Sequence, residues 1–70
     1  MLKQVEIRFS RHASNKLRRY KLTPGEVGEA INSGKKLNRG DKWESQYGGL
    51  RVIWLMVGSY ALVVTVIKTR

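Results

Sequence analysis

The sequence predicts an α+β fold in the order β-α-α-β-β-β, a twisted antiparallel sheet with two helices packed on one face. Three observations predict it. Thr23-Pro24-Gly25-Glu26 marks a helix start, with a hydroxyl at the cap, proline in the first turn and glutamate three residues after the cap. Gly48-Gly49 and Gly58-Ser59 each separate two runs of strand length, the spacing of two-residue hairpins. With 70 residues and no cysteine, the chain has room for one domain over residues 1–70, with one thin core and no disulfide brace.

The elements follow in order. From Gln4 to Phe9 the chain alternates, with Val5, Ile7 and Phe9 on one side and Gln4, Glu6 and Arg8 on the other, a strand with one wet face. Ser10 then caps a short basic helix whose buried stripe is Ala13, Leu17 and Tyr20. In the second helix Thr23 and Glu26 form a capping box and Leu22 and Val27 a hydrophobic staple. Val27, Ala30 and Ile31 are its buried stripe, and Gly34 lies where it stops. Residues 35–41, KKLNRGD, are polar and turn-prone, either a loop or an edge strand. Three antiparallel strands close the chain, over 42–47, 50–57 and 60–68.

Two-residue turns fix a register. Tyr47 pairs with Leu50, Gln46 with Arg51 and Trp43 with Trp54; beyond the second turn Val57 pairs with Tyr60, Leu55 with Leu62 and Arg51 with Val66. A bulge would flip the faces beyond it. One face then carries Trp43, Ser45, Tyr47, Leu50, Val52, Trp54 and Met56, and the other Glu44, Gln46, Arg51, Ile53, Leu55 and Val57. Helices can cover only one of them. The uncovered face is expected to be unusually apolar, a partner surface or the contact of a homodimer.

Fourteen Lys and Arg against five acids give a net charge of +9, which favours an acidic partner such as nucleic acid, an acidic protein or an anionic membrane surface. A membrane span is not expected, because Gly58-Ser59 breaks the apolar run over 50–68 into strand-length halves. The first nine residues alternate charge with apolar groups and do not read as a signal peptide. Lack of cysteine fits a reducing cytoplasm. One histidine and five scattered carboxylates give no ligand spacing, so neither a metal nor another cofactor is expected.

Ser10-x-His12-Ala13 precedes a basic helix, then Leu22-Thr23 leads to Val27; later come Arg51-Val52 and Val64-Thr65-Val66. In these motifs the chain resembles small bacterial proteins akin to the BrnT toxins, within the wider RelE/ParE-like toxin superfamily. The resemblance spans nearly the whole chain and implies a RelE-like fold. Many members of that superfamily are ribosome-dependent or free ribonucleases, others poison gyrase, and an antitoxin encoded nearby often neutralises them. For this chain it implies a cytoplasmic toxin acting on RNA or the ribosome, with an acidic antitoxin as partner.

RNA cleavage without a metal needs a base for the 2′-hydroxyl, cations on the phosphorane and an acid for the leaving oxygen. His12 is the only imidazole, and with Arg51 it makes the candidate catalytic pair, an assignment that rests mainly on the resemblance. Arg8, Arg11, Lys16 and Arg19 are candidate phosphate contacts, and Trp43 and Tyr47 candidate platforms for a base. Each also has a plainer reading. A histidine just after a helix cap can bond local backbone, a basic helix is a solvated face, and Trp43 and Trp54 suit a core or an interface. Two functions stay open: a toxin-like, metal-independent ribonuclease, or a non-catalytic basic module that binds nucleic acid or an acidic protein.

Overall fold

The structure is a computed structural model that describes residues 6–69. Seven elements follow in order: β1 (Glu6–Phe9), α1 (Arg11–Tyr20), α2 (Pro24–Ser33), β2 (Lys35–Arg39), β3 (Lys42–Tyr47), β4 (Leu50–Val57) and β5 (Tyr60–Lys68). The strands form one five-stranded sheet in the order β1-β5-β4-β3-β2. The alternation expected at Gln4 and Val5 lies outside the described residues.

Two corrections belong together. Of the two alternatives for the polar stretch after α2 the edge strand is found, paired antiparallel with β3 from Lys35↔Gln46 to Arg39↔Lys42, which adds a strand to the expected order. In addition, β1 runs parallel to β5, with Glu6 beside Tyr60 and Phe9 beside Val63, so the sheet is mixed rather than antiparallel. The second follows from the first. In a chain that reverses at each connection, one more strand between β1 and β5 changes their relative direction. β2 shows no apolar alternation because it is an edge, where Lys35, Lys36 and Arg39 discourage pairing with another chain.

α1 starts at Ser10, whose Oγ accepts the Ala13 N–H at 3.1 Å. The same hydroxyl donates to the Val64 carbonyl at 2.9 Å, and the Ser10 N–H donates to the Val63 carbonyl at 3.0 Å. Both carbonyls flank a bulge: Ile53 pairs with Thr65 and Trp54 with Val63, leaving Val64 as the extra residue of β5. The bulge corrects the expected register, so that Arg51 faces Ile67 rather than Val66. Thus the capping hydroxyl also bonds the carbonyl of the bulged residue, while the Ser10 N–H continues the ladder between β1 and β5.

α2 carries its capping box, with the Glu26 N–H donating to Thr23 Oγ1 at 3.2 Å and the Thr23 N–H to Glu26 Oε1 at 3.3 Å. At its other end Gly34 is held by space: a Cβ there would stand 2.5 Å from the Ala30 carbonyl oxygen and 2.6 Å from that of Gln46. The turn between β3 and β4 needs glycine for another reason, since Gly48 and Gly49 lie at φ 56° and 84°. That turn sets the register Tyr47↔Leu50, Gln46↔Arg51 and Trp43↔Trp54.

One core joins the layers. Ala13 and Leu17 of α1 and Val27, Ala30 and Ile31 of α2 cluster with Leu50, Val52, Trp54, Ala61, Val63 and Val66 of the sheet. Each valine buried there is worth roughly 1.5–3 kcal/mol. Trp43 stacks on Trp54 with ring centroids 6.2 Å apart, and the Trp54 indole N–H donates to the buried Ser45 hydroxyl at 2.8 Å. The opposite sheet face carries Arg51, Ile53, Leu55 and Val57 on β4 and Leu62, Thr65 and Ile67 on β5.

Candidate functional site

The open sheet face holds a buried carboxylate. Glu44 sits in the middle of β3, pointing away from the core, yet is only 4% exposed. Its neighbours cover it. Arg39 of β2 donates through Nε to Oε1 at 3.1 Å, Arg51 of β4 through Nε to Oε2 at 2.7 Å, and Gln46 through Nε2 to Oε2 at 2.8 Å. Strand geometry brings these residues together. Gln46 is two residues along the same strand, hence on the same face, and Arg51 lies directly across from Gln46. Lys35 lies across from Gln46 on the other side. The donors hold the Glu44 carboxyl in its ionised form: the hydrogen bonds from Gln46 and then Arg51 pull its pKa down to about 2, against an opposing push from burial.

A second arginine site lies at the other edge of the face. Arg8 of β1 bonds Glu6 Oε2 through Nε at 2.8 Å, and its guanidinium rests 4.4 Å from the centre of the Tyr60 ring. The hydrogen bond to Glu6 raises the Arg8 pKa further above its ordinary value. Between the two arginine sites run Ile53, Leu55, Leu62 and Ile67, of which Ile67 is exposed and the others half-buried.

The residues singled out in the sequence fall into three places. Arg51 and Arg8 are on the open face, at its two sides. His12, Lys16 and Arg19 line a shallow cleft on α1 together with Asn15, and Arg11 is exposed on the same helix. Since α1 packs against the covered face through Ala13 and Leu17, His12 and Arg51 stand on opposite sides of the sheet. Trp43 is half-buried against the core and stacked on Trp54, on the covered face. Tyr47 is 40% exposed at the hairpin end of β3 and lines a groove with Lys35, Gln46, Arg51 and Thr69.

Arg39, Glu44 and Lys35 belong to the site although none was among the residues expected from the sequence. The signal for Glu44 was present: the hairpin register that paired Gln46 with Arg51 also put Glu44 on their face. Arg39 and Lys35 were hidden because loop and edge strand stayed open for residues 35–41, so no register placed them on a face. Among the described residues no three His, Asp or Glu side chains gather to hold a metal, and no helix is long and apolar enough to cross a membrane.

No protein-family model matches the sequence, and no curated protein does. The fold does have a known counterpart. A chain in the crystal structure of the toxin–antitoxin complex RelBE2 from Mycobacterium tuberculosis superposes with a TM-score of 0.65, covering 97% of this chain and 100% of that one, at 16% identity. At that identity the likeness is one of fold: two helices with a five-stranded mixed sheet.

Proposed function

We propose that this protein is the toxin-like member of a toxin–antitoxin pair, akin to the BrnT toxins, and that it binds RNA on the sheet face its helices leave open. One observation carries the binding surface: Arg39 and Arg51 flank Glu44 on that face, beside the half-buried apolar side chains of Ile53, Leu55 and Leu62. Cations for phosphates next to a surface for unstacked bases are what a single strand needs. The net charge of +9 adds long-range attraction. Support for the toxin-like part comes from the shared fold and from the Ser10-x-His12-Ala13, Leu22-Thr23 and Arg51-Val52 motifs. A small acidic antitoxin matches the same basic, partly apolar face and would neutralise the protein by covering it.

A second reading, a binding module without catalysis, is favoured by the placement of His12. Cleavage by a His12–Arg51 pair requires one phosphodiester to reach both sides of the sheet. Accordingly Arg51 is the proposed phosphate contact and His12 has no proton-transfer role. Induced expression, with viability and RNA integrity followed together, tests the function. Wild type is expected to arrest growth and the folded Arg51→Ala variant to relieve the arrest. Arrest with RNA loss marks a ribonuclease, and arrest with intact RNA marks the binding module. No arrest, together with no RNA binding at low salt, would dismiss the toxin-like reading.

A further inference from the structure

The bonds that hold Arg39 and Arg51 use the same atom. Each arginine reaches Glu44 through Nε, at 3.1 Å and 2.7 Å, and the two take different carboxylate oxygens. Each guanidinium has a second edge made by its two Nη groups. Among the described residues no side-chain hydrogen bond engages that edge in either arginine. The carboxylate meanwhile accepts three hydrogen bonds, with Gln46 as the third donor at 2.8 Å. It is also covered, whereas the side chains of Arg39 and Arg51 remain 56% and 41% exposed.

Resting on the RNA-binding reading above, the geometry points to Glu44 as a positioning residue that locks Arg39 and Arg51 into a paired fork, with both Nη edges free to grip phosphate oxygens of one RNA strand. The Nη edge is the one that matches two phosphate oxygens at once. Ordering two long side chains before the ligand arrives removes that ordering cost from binding. Glu44 is a poor proton acceptor here, because the three hydrogen bonds its oxygens receive favour the ionised form. Lysine could not replace either arginine, since an ammonium held by the carboxylate has no second planar edge.

Charge counting and positioning make opposite forecasts. Glu44→Gln removes a negative charge from a face that binds a polyanion, so charge alone predicts tighter binding. Positioning predicts weaker binding. The test uses the whole chain and a short, end-labelled single-stranded RNA of mixed sequence, with affinity read by fluorescence anisotropy across a salt series. Folding of each variant is checked by circular dichroism. Glu44→Gln is expected to bind about tenfold more weakly despite its added net positive charge. Arg39→Lys keeps the charge and loses the fork, and is expected to weaken binding about fivefold. If Arg51→Ala weakens binding while folded Glu44→Gln equals or exceeds wild type, the positioning role is overturned and the RNA reading stands. Wild-type affinity in Arg39→Lys, on an exposed edge strand, overturns the fork whether or not Glu44→Gln folds. Absence of binding by the wild type overturns the RNA reading itself, and this inference with it.

Discussion

Two regions of the molecule are strongly basic, and they hold their charge differently. On α1, Arg11, Lys16, Arg18 and Arg19 have no acidic residue in the helix's first turn to meet them, and Lys16 rests over its own Tyr20 ring at 5.6 Å. Arg18 and Arg19 lie in the last turn, where cations offset the negative end of the helix. On the open sheet face Arg8, Arg39 and Arg51 are each fixed to a carboxylate through Nε. Equal charges therefore do unequal jobs. A cluster without carboxylate partners makes a field that attracts a polyanion from a distance and is screened by salt. An oriented set makes directional contacts once the polyanion has arrived.

The largest effect expected from this contrast is on RNA affinity. Replacing Arg39 and Arg51 together by alanine is expected to cost about a hundredfold, and replacing Lys16 and Arg19 together only about fivefold. Equal losses measured by anisotropy at one salt concentration would erase the distinction between the regions.

Adjacent residues of β3 sharpen it. Glu44 and Ser45 are both buried and polar, but Ser45 faces the core and accepts from Trp54, whereas Glu44 faces outward. Ser45→Ala leaves the indole N–H unpaired and is expected to cost about 1–3 kcal/mol in urea unfolding. RNA affinity of the folded fraction should stay at the wild-type level. A loss of affinity there would mean that core and open face are not separable.

Glu44 also marks the open face in acid. Its pKa lies below its ordinary 4.5, at about 2, so its stabilising contribution is present above about pH 4.5 and is lost as pH falls towards 2. Thermal melts over that range are expected to show a steeper decline for wild type than for Glu44→Gln. Parallel curves would show that Glu44 does not couple folding to protonation.

The smallest effect is assigned to His12. His12→Ala is expected to leave RNA binding and any RNA cleavage within about twofold of wild type, far short of the 10²–10⁴ that losing a general acid or base brings. A loss of that size in folded protein would restore His12 to the chemistry.

What the sequence made legible was local. The Thr23–Glu26 box, the Ser10 cap and the Gly48-Gly49 register each depend on residues a few positions apart, and each is found as expected. Pairing between distant segments was not legible. Ile7 meets Ala61 only after both helices and three strands have been placed, and the residue bulged out at Val64 is bonded by Ser10 from that distant segment. The candidate site divides in the same way. Arg51 could be placed on a face by alternation from its turn. His12 was joined to it mainly through the resemblance, and a shared motif does not locate two residues on one side of a sheet. Arg39 depends on an edge strand with no apolar alternation to reveal it.

On the proposal above, RNA meets the open sheet face rather than α1. An NMR titration of isotope-labelled protein with single-stranded RNA tests it directly, following backbone amides and the arginine Nε–H signals. The Nε–H signals of Arg39 and Arg51 and the amides around Glu44 and Ile53 are expected to shift most, with α1 shifting little. Shifts confined to residues 11–20, with the Arg39 and Arg51 signals unmoved, would contradict it.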